Sequence, residues 1–330
     1  MFRGKKGESI MKKATVVWII VASALVVLGG LLFVGAMSIN NWNFRSLSTV
    51  RYETNTYEIA DDFNGISINT DTADITFLPS LDGKAKVVCY EKTRLIHSVE
   101  VRDGALAINA MTKKWYHHIT LMNFDTPEIT VYLPKTEYDA LCVKESTGDI
   151  EIPGDFRFES MDISVSTGDV ENSASVSESL KIKASTGDIS LENISAGAIE
   201  LSVTTGEIEA SGIKCEGEIK VEVTTGKAEL SDISCENLIS SGSTGDISLT
   251  NVIAKESFSI ERSTGDVKFD GCDAAGITVK TDTGDVRGSL LSEKIFKCRT
   301  DTGKVRVPDS VSGGVCDITT DTGSIIISIK

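Results

Sequence analysis

The chain has little of what compact cores and active sites are usually built from. Aromatics are 6% of its 330 residues, and it holds only five prolines and three histidines. A large aromatic core is therefore excluded. No HExxH, GxSxG or Walker loop is present, and no CxxC or Cys/His pair stands at a zinc spacing. No catalytic residue can be assigned, and we expect neither an enzyme nor a cofactor. The seven cysteines are an odd number, so at least one thiol has no partner within the chain.

Positive charge is also scarce, and it is unevenly placed. The net charge is −15, yet Arg3, Lys5, Lys6, Lys12 and Lys13 against Glu8 give residues 1–13 a charge of +4. Everything after them carries −19. A body this acidic excludes nucleic acid, which needs Lys and Arg to neutralise its phosphates. It also opposes flat adhesion to anionic lipid.

What is present begins with a long apolar run. From Ala14 to Ile39, 26 residues, no side chain is charged. As a helix the run spans roughly 39 Å, enough to cross ~30 Å of hydrocarbon with some tilt. A cleaved signal peptide has an apolar stretch of about 7–15 residues, shorter than this one. We read 14–39 as a retained transmembrane helix. The cationic residues before it keep the N-terminus in the cytoplasm and place the body outside. Met11, before Lys12-Lys13, offers a second start with the same topology. The first cysteine is Cys89, too distant for a lipoprotein anchor.

The second half repeats. A Thr-Gly pair recurs with Gly at 148, 168, 187, 206, 226, 245, 265, 284, 303 and 323, in steps of 19 or 20. A fixed period of this length is the signature of a solenoid. In the copy around Gly187, Leu180, Ile182 and Ala184 alternate with polar residues, and Ile189 and Leu191 alternate again beyond the glycine. Period-2 alternation marks a strand with one buried face. Ser185-Thr186-Gly187-Asp188 is the turn between two strands, with Gly supplying positive φ. One copy cannot bury its own apolar face. Stacking at ~4.8 Å per coil does so, and ten coils make a rod of about 45–50 Å.

Columns follow from stacking. Thr precedes all ten glycines. Nine residues after successive glycines stand Ala196, Cys215, Cys235, Ala254 and Ala274, a column of small residues at an inner corner. Cys215 and Cys235 are one coil apart, within reach of a bridge. Their alanine neighbours favour the simpler reading, small buried hydrophobes. After the glycines, seven of ten positions are acidic. Like charges ~4.8 Å apart repel and need relief. Capping of turn N–H groups is the first explanation. Calcium bridging between coils is the second, with Asp246, Asp266, Asp282 and Asp285 as candidate ligands. The glycine-rich nonapeptide of calcium-binding β-rolls is missing.

Residues 57–144 are strand-rich without a fixed period. In Ile66–Pro79, Ala73 takes the place of the turn glycine. We divide the chain into a cytoplasmic tail (1–13), transmembrane helix (14–39), spacer (40–56), N-terminal cap with irregular first coils (57–144) and regular coils (145–330). Trp115-Tyr116-His117-His118 is the one aromatic and histidine cluster, read as cap surface rather than a metal site.

Basic tail, single span, Val131-Tyr132-Leu133-Pro134 and Ser/Thr-Thr-Gly-Asp-Ile/Val repeats together resemble the bacterial putative-adhesin β-strand-repeat family. That group is a domain of unknown function that includes LiaG-like envelope proteins. The resemblance covers residues 57–330. It implies an all-β fold, a right-handed parallel β-solenoid of 19–20-residue coils after one N-terminal transmembrane helix. It brings no catalytic residues. We expect a non-catalytic surface module, adhesin-like or scaffolding, that meets an envelope polymer. The alternative is an accessory or sensor of a cell-envelope stress response acting through a membrane-protein partner. The chain finishes at Ile325-Ile326-Ile327-Ser328-Ile329-Lys330, directly after its last turn. Read as an open edge, this segment predicts weak self-association.

Overall fold

The computed structural model describes residues 13–39, 42, 51–93, 95–111, 126–134 and 137–330. They divide into two compact units, one ending at Arg51 and the other beginning at Tyr52. The first contains the helix Lys13–Ile39. Within it Val17–Ile39 is long and apolar enough to cross a membrane. The Trp42 amide donates to the Met37 carbonyl at 2.8 Å, with Trp42 in the left-handed region. That bond satisfies a carbonyl the helix end would leave open.

The second unit is a parallel β-solenoid, as the period requires. Several coils have a long strand before the turn and a short one after it, such as Ser175–Thr186 and Ile189–Glu192, while Ala228–Thr244, Ile247–Thr264 and Val267–Thr283 each run from one turn to the next. Coils pair in parallel with like residues opposite: Ile163 with Ile182, Ile182 with Leu201, Leu201 with Val221. These alternating residues are buried and form one continuous core along the stack. The small-residue column is real, with Ala196 against Cys215, Cys235 against Ala254 and Ala254 against Ala274.

Glycine at the turn is required twice over at Gly187. Gly187 has φ +131°, and a Cβ built on it would lie 2.0 Å from the Gly168 carbonyl oxygen of the adjacent coil. Left-handed backbone already disfavours other residues. The close stacking forbids them.

Coil order departs from chain order at both ends. At the N-terminal end, Gly65–Thr72 lies between Ala105–Ala110 and Glu137–Thr147. Asp74–Pro79 likewise lies between Glu128–Leu133 and Ile150–Ile152. Antiparallel strands then cover this end. His97–Arg102 adds to Ala105–Ala110, and Ala85–Lys92 with Tyr52–Ile59 adds to Glu128–Leu133. Tyr52–Ile59 takes in residues 52–56, which the sequence reading gave to the spacer.

At the other end the final coil is inserted. Gly314–Thr322 pairs with both Val267–Thr283 and Lys294–Thr302. Ile325–Ile329 pairs with both Val286–Leu290 and Val305–Arg306. The turns therefore stack in the order 265, 284, 323, 303. This corrects the expectation of an open edge at 325–330 for the start of that segment: Ile325 and Ile326 pair on both sides, residues 327–329 pair only with 288–290, and the outermost coil is 294–306. There Lys297, Arg299, Lys304 and Arg306 are exposed and Pro308 follows. Cations and proline are the usual means of blunting a strand edge.

Candidate functional site

The acidic column after the turn glycines is a hydrogen-bonded ladder. The amide of Asp149 donates to Asp74 Oδ1 (3.1 Å), Asp169 to Asp149 (2.9 Å), Asp188 to Asp169 (2.8 Å) and Glu207 to Asp188 (2.7 Å). Beyond Lys227 it resumes, with Asp266 donating to Asp246 (2.8 Å) and Asp285 to Asp266 (2.7 Å). Each of these aspartates thus caps the turn of the adjacent coil. A charge-assisted bond of this kind offsets repulsion along the column. Lys227 adds relief, reaching Glu207 at 2.7 Å and Glu229 at 3.3 Å.

The four calcium candidates sit as follows. Asp246, Asp266 and Asp285 each spend Oδ1 on the neighbouring turn, and Arg287 pairs with Asp285. Asp282 is exposed, two residues before its glycine. The structure does not gather these four into a group of three with ligand atoms within 4.8 Å.

Among the described residues one such group exists, Cys89, Glu91 and His97, all buried in the N-terminal cap. Cys89 and Glu91 share the inward face of Ala85–Lys92, and His97 opens the next strand. Glu91 accepts from Asn55 Nδ2 (2.7 Å) and from the His97 amide (2.6 Å), and lies 2.7 Å from His97 Nδ1. His97 Nε2 meets Thr70 Oγ1 at 2.9 Å. Every ligand nitrogen and oxygen is already engaged, so these residues form a closed polar network inside the cap. Burial pushes the Cys89 thiol up to about 12, which keeps it protonated. Sequence reasoning missed this network, because it joins positions 55, 70, 91 and 97 that no motif links. Trp115, Tyr116, His117 and His118 lie outside the described residues.

All seven cysteines are free thiols. Burial raises Cys215, and it pushes Cys235 up to about 12. They serve as small core residues, as their column suggested.

One open groove of about 500 Å³ lies where the coil order changes, lined by Asp273, Ser292, Lys294 and Gly313 among others. Lys294 is buried there, with Nζ 2.6 Å from Asp273 Oδ1 and 2.5 Å from Ser292 Oγ. The ammonium is balanced by the carboxylate, which suits a structural ion pair.

A continuous parallel stack, capped turns and a closed polar cap define a repeat-built β-solenoid with a preceding apolar helix. The sequence profile of Toastrack DUF4097 matches residues 63–222 and 214–330, and the chain belongs to that family. No curated protein matches it. Three of the solved structures that match the chain are the following. A putative adhesin from Bacteroides fragilis is 16% identical, covers 84% of this chain and 97% of its own, and has a TM-score of 0.42. A putative lipid binding protein from Parabacteroides distasonis is 18% identical, with 85% and 98% covered and a TM-score of 0.45. A putative adhesin from Parabacteroides merdae is 13% identical, with 85% and 98% covered and a TM-score of 0.47.

Proposed function

We propose that the protein is a membrane-anchored, extracytoplasmic surface module that binds rather than catalyses. The observation that carries this reading is the regularity of the solenoid surface. The turn aspartates are spent on stacking, and the outward side chains beside the turns stand in register from coil to coil. Such a surface offers a repeating array to a polymer or protein and no preorganised reaction centre. Val17–Ile39 supplies the anchor, and the cationic residues before it set the topology.

The test is crosslinking in native cells, followed by capture of the intact chain and mass spectrometry. Recovery of envelope polymer with the chain supports the surface module. Reproducible recovery of a membrane kinase or regulator would instead favour the accessory role in envelope stress. Turnover of a polysaccharide by the purified chain would overturn the non-catalytic reading.

A further inference from the structure

One outward column on the strands after the turns changes sign along the stack. Register fixes its members coil by coil. In the first five regular coils it runs Glu151, Glu171, Ser190, Glu209, Glu229. Ser248 follows, and then Lys268, Arg287, Ile326 and Arg306. Every charged member is exposed. The acidic half and the basic half do not mix.

The two halves are also mirror-placed about Ser248. Counting coils from Ser248, acids stand one, two and four steps away on one side: Glu229, Glu209 and Glu171. Cations stand one, two and four steps away on the other: Lys268, Arg287 and Arg306. The third step is uncharged on both sides, Ser190 and Ile326. The inserted last coil creates this match. In plain chain order Arg306 would fall three steps away and face Ser190.

We propose that this face pairs with the same face of a second copy, antiparallel, about a two-fold axis at Ser248. An axis lying along the strands sets each column against itself in reverse. Glu229 then meets the partner copy's position 268, Glu209 meets 287 and Glu171 meets 306, each twice by symmetry. Glu171, Glu209, Lys268 and Arg306 have no ion pair of their own among the described residues, so their charge is available. The turn column beside it is mixed. Lys227 meets 266 and Asp169 meets 304 favourably, while Glu207 meets 285, and Asp246 meets its own copy on the axis, as like charges. Glu207 and Asp285 each hold a cation on their own molecule, Lys227 and Arg287, which moderates that contact.

The face is narrow, and from Glu171 to Arg306 it runs about 38 Å at ~4.8 Å per coil. Such a strip buries less than the ~800 Å² per partner of a stable complex, so the pair is weak and salt-sensitive. Its two N-terminal caps lie at opposite ends.

The test uses the full chain in detergent. Ser190→Cys and Ile326→Cys change no charge. A bifunctional maleimide should link the two variants when they are mixed, and should link neither variant to itself above the unsubstituted chain. Crosslinking of Ser190→Cys alone would mean a parallel pair and would overturn the proposal, as would no crosslink in the mixture. Charge reversal gives a second readout by sedimentation velocity. Glu209→Lys with Glu229→Lys should weaken association by about tenfold or more, and mixing with Lys268→Glu, Arg287→Glu should restore it. Association that ignores both reversals would also overturn it. Purified chain is used throughout, so failure here leaves the surface role standing.

Discussion

The amide of Asp169 donates to Oδ1 of Asp149, 2.9 Å away and one coil back. Asp188 and Glu207 continue the same relationship. A column that looks electrostatically unfavourable is therefore a row of turn caps. Replacing Asp188 by Ala removes the acceptor for Glu207, and we expect a loss of about 2 kcal/mol. Asp188→Asn keeps an acceptor oxygen and should cost less than half as much. Thermal unfolding of the two variants checks this. Equal losses would show that hydrogen bonding to the turn is not what the carboxylate supplies.

The glycine column makes a sharper contrast. Gly187→Ala would drive a methyl into the Gly168 carbonyl oxygen, 2.0 Å from the new Cβ. We expect a cost of roughly 4 kcal/mol or more, or failure to fold. At Gly276 the nearest atom to a new Cβ is 3.9 Å away. Gly276→Ala should stay within about 0.5 kcal/mol of the parent. Urea unfolding midpoints separate the two.

Stability should depend on pH through Glu145. Its side chain is buried in the core column between Thr70 and Val165, and Oε2 has no hydrogen-bond partner. Burial pushes its carboxyl from 4.5 up to about 8, against the opposing bonds from the Ala73 and Thr147 backbone. Folding therefore favours the protonated form. Its contribution is complete below about pH 4.5, falls as pH rises towards about 8, and is flat above that. Melting temperature should drop across this window, and the drop should shrink in Glu145→Gln. An unchanged profile in that variant would assign the pH dependence to other groups.

The inserted C-terminal coil predicts a protection pattern. The Ile325 amide donates to the Lys304 carbonyl and the Lys330 amide to the Leu290 carbonyl, both at 2.9 Å. The amides of Ile325 and Ile326, which lie between two strands, should exchange slowly. Removing 325–330 should destabilise both flanking strands rather than trim a loose end. Fast exchange at both Ile325 and Ile326 would contradict the inserted order.

Much of this was legible because a solenoid makes sequence period and spatial period the same. Thr167 pairs with Thr147 and Thr186 with Thr167, so a one-dimensional repeat reads directly as a column. The small corner column and the buried thiols followed from the same identity. Where chain order and coil order part, that identity fails. Ile325–Ile329 looked like a free edge because nothing local records that a later coil slips between two earlier ones. The cap network of Asn55, Thr70, Glu91 and His97 was invisible for a related reason. It is held by antiparallel strands of no fixed period. The sign change along the outward column needed the true stacking order, since the position of Arg306 depends on it.

The central claim is a solenoid displayed outside the cell on a retained helix. The most direct measurement treats intact native cells with a membrane-impermeant amine reagent, followed by membrane fractionation and peptide mapping. The account predicts labelling of exposed lysines such as Lys183, Lys255 and Lys297 in unbroken cells, with the chain remaining in carbonate-washed membranes. Labelling only after lysis, or recovery of the chain in the soluble fraction, would contradict it.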